Sequence, residues 1–416
     1  MISNSGPSYT NDVLKKLKQI GHQTCTTMTY KPNTNRFMEC TNKHVVVCGG
    51  GVIGACTAYF LGKKGVRVTL VEKSAVACAA SGKAGGFLAL DMCDGSVLRG
   101  LARASFGLHQ SLAEELDGES YGYRRIHALG LGIEEAKGAP GYLSKGHAKA
   151  SVPAWVDGPV SGSAKPIGNP KTMAQVHPQL FTQAIFAKAV EKYGVSLVIG
   201  KVQEVKLAGN KVTGVVVDGE VIAADTVVVA MGPWSGENSL VSSLTSISGL
   251  KAHSIVVRPK QPDAISPYAL FLTYRTKEGK VLDPEIYPRP RGEVYVCGMT
   301  EEVAVPDDPQ QIIPRPEATA MLQRVAGTVS SVLADAEIEV AQACFLPCSE
   351  DGVPVIGKIP NVDGAYVATG HSCWGILNAP ATGASLAELI VDGVSTTVDL
   401  KPFDPLRFCI GASRSR

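Results

Sequence analysis

The chain has 416 residues, of which 45% are apolar and 19% charged, and its formal net charge is +2. This near balance of charge argues against nucleic acid or an anionic membrane surface as the main partner. No apolar run approaches the roughly 18 residues of a membrane span, and the eleven cysteines lack zinc-type spacing. The composition predicts an intracellular protein with reduced thiols, one large or two smaller domains, no transmembrane segment and no metal site.

Residues 1–43 differ from the rest of the chain. They are rich in Ser, Thr and Asn, poor in acids, and lack the apolar core of a secretory signal. Two interpretations remain open: an organelle transit peptide, for which arginine is scarce, and a disordered extension. The compartment, cytoplasmic or plastid/mitochondrial, remains open with them.

The strongest local pattern follows a β-branched run at 45–47. Residues 49–54, Gly-Gly-Gly-Val-Ile-Gly, fit the motif GxGxxG. In this motif Gly49 permits a tight turn, Gly51 lets the backbone approach a pyrophosphate, and Gly54 lets the next helix pack closely on the strand. The pattern predicts a strand, a phosphate-binding turn and a helix.

A second predicted strand ends at Glu72, where a carboxylate can accept hydrogen bonds from an adenosine ribose. Together with the glycine motif, this acid predicts a dinucleotide site. The alternative is a glycine-rich turn in an ordinary α/β unit, which leaves the position of the acid unexplained.

Residues 79–88 help to choose the dinucleotide, because they are small and glycine-rich with Ser81 and Lys83 as polar groups. An NAD half-site needs no such segment directly after its acid, whereas FAD, bound in an extended form, needs more backbone around it. A flexible loop is the alternative.

The middle of the chain supports FAD. A helix and a strand are predicted over 177–200, followed by short alternating segments over 202–224 that indicate an antiparallel meander. A buried strand at 226–230 then leads to Gly232. The chain therefore returns to the parallel sheet through a meander and places a glycine turn near the cofactor.

Four segments, taken in order, resemble the D-amino-acid oxidase superfamily of FAD-dependent oxidoreductases. They are GGGVIG with its acid, ASGKAGGFLA, TVVVAMGPWS and GHSCWGILNAPATG. The pattern is similar to glycine oxidase and the sarcosine oxidases, and the last segment resembles a branch of FAD-dependent oxidoreductases from plants and fungi. The resemblance covers residues 44–392.

The resemblance implies an α/β (α+β) fold. A Rossmann-type FAD-binding domain with a central parallel sheet and a β-meander would be joined by a substrate domain on an antiparallel sheet. The implied segments are 44–120, 170–255 and 344–400 for the FAD-binding domain, 121–169 and 256–343 for the substrate domain, and 401–416 for a tail.

The resemblance also implies non-covalent FAD and a set of contacts to it. The matching positions are Gly49, Gly51, Val52, Ile53, Gly54, Glu72, Lys73, Ser81, Lys83, Gly86, Leu88, Val202, Gly232, Trp234, Gly375, Ile376 and Leu377. Trp234 also fits a core aromatic below the flavin. Cys344 falls where monomeric sarcosine oxidase-like proteins link FAD covalently, and its alternative is a buried strand cysteine.

Members of this family remove a hydride from the carbon beside an amine nitrogen and deliver it to flavin N5. O2 or another acceptor then reoxidises the flavin, and oxidases produce hydrogen peroxide. The resemblance therefore implies an amine or amino-acid-like substrate. A helix beginning at Gly375 would aim its N–H groups at the pyrimidine end of the flavin, where negative charge develops.

The sequence departs from the family at substrate recognition. Leu346 occupies the position of the arginine that pairs with a substrate carboxylate, so either another cation serves or the substrate is not a simple amino acid. Arg289 and Arg258 are the candidate replacements, and Tyr287 is a candidate pocket residue. Residues 294–300 also lack the lysine with which sarcosine oxidases promote the reaction with O2, which favours dehydrogenation over oxidase activity.

His371 and Trp374 complete the candidate catalytic residues. Trp374 would wall the pocket or the ring face, and His371 fits a structural or ring-contacting role better than an acid–base role. Two other functions stay open: an NAD(P)-dependent enzyme, and a flavin-binding protein with vestigial catalysis in a scaffolding or trafficking role. The missing arginine at position 346 keeps the second of these open.

Overall fold

The computed structural model describes residues 43–135 and 152–411. The predicted N-terminal extension up to residue 42, residues 136–151 of the predicted substrate domain and residues 412–416 of the tail lie outside the described residues.

A parallel sheet forms the centre of the fold. In chain-order numbering its strands are β1 (His44–Cys48), β2 (Arg67–Glu72), β8 (Ser196–Ile199), β12 (Thr226–Val229), β19 (Val355–Lys358) and β20 (Ala365–Thr369). They pair in the order β19-β20-β12-β1-β2-β8, and every pair is parallel except β19 with β20. Residues 45–48 of β1 are fully buried, as expected for a central strand covered on both faces.

Helices cover one face of this sheet. They are α1 (Val52–Lys63), α3 (Arg99–Glu115), α4 (Pro178–Tyr193) and α8 (Gly375–Asp392). Helix α8 packs on both α1 and α3. At Gly383 the backbones of α8 and α1 touch directly, because an added Cβ would lie 2.6 Å from the carbonyl carbon of Cys56.

The predicted meander covers part of the other face. Strands β9 (Val202–Ala208), β10 (Lys211–Val217) and β11 (Glu220–Ala223) pair antiparallel in the order β11-β10-β9. Their apolar side chains pack with those of β1 and β12 in one core cluster. The predicted return of the chain through β12 is therefore confirmed.

A larger sheet stands beside this unit. Its strands are β5 (His127–Glu134), β6 (Val160–Gly168), β13 (Ile247–Arg258), β14 (Tyr268–Arg275), β15 (Val281–Leu282), β16 (Glu285–Pro288), β17 (Val294–Glu302) and β18 (Glu337–Ser349). The sheet is antiparallel, as predicted, except that β5 and β14 pair parallel. A parallel pair needs a long crossover, and more than a hundred residues separate these strands in the chain. Helix α6 (Pro316–Val329) packs against the sheet.

The remaining elements are short: β3 (Phe87–Ala89), β4 (Arg124–Arg125) and β7 (Met173–Gln175), which form a small sheet, and helices α2 (Ala80–Lys83), α5 (Ser239–Ser242), α7 (Ser331–Ala334) and α9 (Leu406–Gly411). The predicted fold class is confirmed. The implied domain boundary at 255/256 falls inside β13, and the boundary at 343/344 falls inside β18, so each strand continues across its boundary. None of the helices in the described ranges combines the length and apolar character needed to cross a bilayer.

The contact between α1 and α8 predicts a stability effect at Gly383. Replacing Gly383 by Ala places a methyl group against backbone atoms that cannot rotate away. We expect Gly383→Ala to lower the free energy of unfolding by about 1–3 kcal/mol, measured by urea denaturation of the FAD-loaded protein. The control is Gly107→Ala in α3, since nothing lies within 4 Å of an added Cβ there. That change should be neutral or stabilising by up to about 1 kcal/mol, and equal losses at the two sites would contradict the packing argument.

Candidate active site

A cavity of about 990 Å³ lies at the carboxyl ends of the parallel strands. Gly49, Glu72, Gly200, Met231 and His371 line it, and each lies at the end of a strand of the parallel sheet or within two residues after it. Open α/β sheets place their ligand crevices at this edge. The other wall comes from the larger sheet, so the cavity lies between the two sheets.

The glycine turn forms one part of the cavity wall. Gly49 has φ of +113°, and a Cβ there would lie 2.3 Å from the carbonyl oxygen of Ala230. A Cβ at Gly54 would lie 1.9 Å from the carbonyl oxygen of Gly49, so the first turn of α1 packs directly against the glycine turn. The hydroxyl of Ser81 accepts a hydrogen bond from Val52 N at 2.8 Å, which shows that an oxygen acceptor fits at this helix start.

Glu72 anchors the same end of the cavity. Its Oε2 accepts from Gly50 N at 2.7 Å and its Oε1 from Ser74 N at 2.9 Å. A carboxylate has further lone pairs, and Glu72 lines the cavity, so these contacts leave acceptor capacity for a ligand. Lys73 and Lys201 line the cavity close by, as does Asp307, whose carbonyl accepts a hydrogen bond from Lys73 Nζ, so this end holds charged groups of both signs.

The start of α8 lies at another part of the wall. A 3-10 turn over Ser372–Trp374 leads into the helix, and no side chain caps its first N–H groups. These groups have no intrahelical partner. Gly375 and Ile376 line the cavity, whereas Leu377 is 1% exposed and packs in the core.

His371 holds the turn before α8. Its side chain is buried, and its Nε2 lies 3.0 Å from the hydroxyl of Thr382 inside α8. Burial lowers the pKa of His371 to about 3, so the ring is neutral at physiological pH. His371 lines the cavity, but its bonding indicates a structural role.

Pro380 interrupts the hydrogen bonding of α8 near its start, because proline has no N–H for the carbonyl of Ile376. His109 of α3 fills this gap, with its Nε2 at 2.9 Å from that carbonyl oxygen. Burial lowers the pKa of His109 to about 4, and the neutral ring donates from Nε2 to the carbonyl. Ser105, one turn earlier on α3, accepts from Ala381 N at 3.0 Å. Helix α3 thus fixes the first turns of α8.

Aromatic side chains form the wall beside the α8 start. The ring centroids of Phe87 and Phe271 are 5.0 Å apart, and Phe87 stacks on Tyr287 at 5.7 Å. Trp374 packs against the same cluster. This part of the cavity wall is aromatic, whereas lysines and Glu72 line the other end.

A model of the DAO family, described as FAD dependent oxidoreductase, matches residues 44–389. The chain belongs to this family. It is an FAD-dependent oxidoreductase, and FAD is its cofactor.

Individual relatives of this FAD-dependent oxidoreductase agree with the family assignment. An oxidoreductase of Schizosaccharomyces pombe is 32% identical over 390 residues, covering 88% of this chain and 98% of the relative. Glycine oxidase of Geobacillus kaustophilus is 30% identical over 386 residues, covering 87% and 96%. The crystal structure of glycine oxidase from that organism matches with a TM-score of 0.74 at 26% identity, covering 88% and 99%.

Most residues predicted to contact FAD line the cavity: Gly49, Gly51, Val52, Ile53, Glu72, Lys73, Ser81, Gly86, Val202, Gly232, Trp234, Gly375 and Ile376. Gly54, Lys83, Leu88 and Leu377 are not brought to the wall. Gly54 packs on Gly49, Leu88 and Leu377 are core residues, and Lys83 Nζ donates to the carbonyl of Ala343 at 3.0 Å.

Of the predicted catalytic residues, Tyr287, His371 and Trp374 line the cavity but Arg289 does not. Arg289 is 7% exposed and donates to His177 Nε2 at 3.3 Å and to the carbonyl of Ala84 at 3.4 Å. Its guanidinium also lies over the ring of Tyr295, 5.2 Å from the centroid.

Neither candidate replacement for the missing arginine reaches the cavity. Arg258 pairs with Glu339 on the exposed side of the larger sheet, and Arg289 is engaged as described above. Leu346 itself lines the cavity, so an apolar side chain occupies the wall at the family's arginine position.

Cys344 lines the cavity and is 6% exposed. Burial raises the pKa of its thiol to about 11, which suppresses the thiolate that covalent attachment to a flavin would need. The buried-cysteine interpretation is therefore the one that its surroundings favour.

Sequence reasoning missed several residues of the wall, among them Phe271, Glu285 and Cys297. They lie on β14, β16 and β17, where Phe271 pairs with Glu285 and Glu285 with Cys297. The register between strands, which brings them together, has no signal in a single sequence. Lys201 was also missed, although it follows directly on the predicted strand before the meander.

The contact between His109 and Ile376 predicts a role for α3 in supporting the α8 start. We expect His109→Leu to lower the free energy of unfolding by about 1–3 kcal/mol, because the buried carbonyl loses its donor. Release of FAD on dilution, followed by flavin fluorescence, should become faster. His109→Gln is the matched control, since its amide retains an N–H donor. Its free energy of unfolding and its rate of FAD release should change less than those of His109→Leu. If His109→Leu matched the wild type in both, His109 would not support the α8 start.

Proposed function

We propose that this FAD-dependent oxidoreductase oxidises the C–N bond of an amine or amino-acid-like substrate. One observation carries the proposal. A single cavity joins the glycine turn and Glu72 to the uncapped start of α8 and an aromatic wall. A dinucleotide and a small apolar substrate portion can therefore occupy one enclosed space. Its volume is at the upper end of the range of roughly 300–1,000 Å³ usual for ligand pockets.

The residues present fit FAD. The turn at Gly49 has no room for a side chain against Ala230, and Gly51 lines the cavity without a Cβ, so its backbone can approach a pyrophosphate closely. The acceptor position held by Ser81 at the start of α1 suits a phosphate oxygen. We assign the ribose hydroxyls to Glu72, and the pyrimidine end of the ring to the N–H groups of Gly375 and Ile376.

When bound, FAD supplies the hydride acceptor, flavin N5. The chain contributes binding, orientation and electrostatics. The α8 start directs the positive end of a helix dipole towards the cavity and stabilises negative charge that develops there. The aromatic wall of Phe87, Phe271, Tyr287 and Trp374 excludes water and holds the substrate carbon.

No proton transfer is assigned to His371. Its ring is neutral, buried and bonded to Thr382, so it keeps the turn before α8 in place. A substrate amine that binds in its neutral form needs no base for hydride loss.

The electron acceptor is O2 or another oxidant. Strand β17 contributes Cys297, Gly298 and Thr300 to the cavity wall, and none of the three carries positive charge. Because a cation stabilises the superoxide formed when O2 takes an electron, this wall favours a slow reaction with O2.

The direct test is anaerobic reduction by a panel of primary, secondary and N-methyl amines together with amino acids. We expect purified protein to show the visible absorption bands of FAD, and at least one class to bleach them. Acid denaturation should release the flavin into the supernatant.

The matched control is Gly49→Val. Its Cβ would lie 2.3 Å from Ala230 O, so the turn must move, and we expect a colourless protein whose folding is checked by circular dichroism. If the wild type carries FAD but no member of the panel bleaches it, the proposal loses to a flavin-binding protein with vestigial catalysis.

A further inference from the structure

The wall of the cavity holds a row of three side chains on neighbouring strands. Phe271 of β14 pairs with Glu285 of β16, and Glu285 pairs with Cys297 of β17. All three line the cavity. Glu285 therefore presents a carboxylate to the cavity between an aromatic ring and a thiol.

Glu285 has hydrogen-bond donors but no counter-charge. Its Oε2 accepts from the hydroxyl of Tyr287 and from Cys297 Sγ, the latter at 3.6 Å. Among the described residues no donor to Oε1 and no ion pair to Glu285 is found. The charged residue that acts on this carboxyl group is Asp283, whose charge has the same sign. Burial raises the pKa of Glu285, as expected where a carboxylate lacks a cation. A cationic ligand would remove this penalty.

The carboxylate lies at the α8 end of the cavity. Cys373 lies two positions before α8 begins. Burial raises the pKa of its thiol, and the negative charge of Glu285 raises it further. Tyr287, which donates to Glu285, stacks on Phe87. Two lysines also line the cavity, but not at this end. Lys73 follows β2 and Lys201 follows β8, so both lie near Glu72.

The same end disfavours a carboxylate. Leu346 lines the wall at the position of the family's arginine, and no arginine lines the cavity within the described ranges. A substrate carboxylate would be desolvated without a cation and placed near Glu285.

We propose that the substrate is an aliphatic amine without a carboxylate, held as a cation by Glu285 among the rings of Phe87, Phe271, Tyr287 and Trp374. The inference rests on the proposed function and names its substrate class. Aromatic faces attract alkylammonium groups, and a carboxylate supplies the counter-charge. In a monoamine, the bound ammonium group first gives its proton to the carboxylate of Glu285, and the carbon beside the nitrogen, now neutral, reacts. In a diamine or polyamine, Glu285 holds one charged nitrogen while the carbon beside a second, neutral nitrogen reacts. That carbon loses a hydride to FAD and a C=N bond forms, which water hydrolyses to an aldehyde and ammonia or an amine.

The test has a binding part that does not depend on turnover. Tetramethylammonium chloride and sodium acetate are titrated into the FAD-loaded protein by calorimetry at constant ionic strength. We expect tetramethylammonium to bind and acetate not to bind. Glu285→Gln should weaken tetramethylammonium binding by about 10- to 100-fold, the loss expected for one charged partner. The visible flavin spectrum of the variant confirms that FAD is loaded.

Two further variants serve as controls. Asp283→Asn removes the same charge from an exposed residue of the cavity rim, and we expect a change of less than about threefold because solvent screens it. Leu346→Arg restores the family's arginine and should weaken tetramethylammonium binding while creating affinity for acetate. Equal effects of Glu285→Gln and Asp283→Asn would overturn the assignment of Glu285.

The reaction part uses decarboxylated pairs under anaerobic conditions: dimethylamine with sarcosine, pyrrolidine with proline, and cadaverine with lysine. We expect the carboxylate-free member of at least one pair to bleach the flavin faster, and this advantage to disappear in Glu285→Gln. Bleaching by the amino acids alone would overturn this inference and leave the proposed function standing. Bleaching by neither member of any pair would instead overturn the proposed function.

Discussion

The direct contact between the backbones of α1 and α8 is the constraint on which the cavity depends. Gly383 allows α8 to touch α1 at Cys56. Helix α1 begins at the glycine turn and α8 begins beside the aromatic wall, so one packing contact sets the relative position of two helix N-termini. Both starts face the same cavity, and both lack a side-chain cap from their own first residues.

The two ends of the cavity differ in the charged groups that line them. Lys73, Lys201 and the start of α1 place positive charge near Glu72, which suits a dinucleotide with a pyrophosphate. The opposite end combines aromatic rings with the carboxylate of Glu285 on β16. A flavin and a cationic amine are therefore complementary to different ends of one space. The buried arginine of the larger sheet, Arg289, contributes to neither end.

Much of this organisation could be predicted from the sequence, because its signals are local. The glycine motif, the acid at Glu72, the meander and the α8 start each occupy a short stretch whose residues act together. The positions of Lys83 and Arg289 away from the cavity wall could not be predicted, since the carbonyl of Ala343 and the ring of Tyr295 meet them only in the folded chain. The α8 start itself depends on His109, which lies 267 residues away from Ile376 in the chain. The same limit applies to Glu285, whose exposure to the cavity follows from the register of three strands.

A crystal structure of the FAD-loaded protein tests the central claim most directly, because the claim concerns which part of the flavin meets the start of α8. We predict that the backbone nitrogens of Gly375 and Ile376 lie within hydrogen-bond distance, about 2.7–3.2 Å, of an oxygen at the pyrimidine end of the ring. A structure in which FAD binds elsewhere, or in which the α8 start contacts only solvent or other helices, would contradict the assignment.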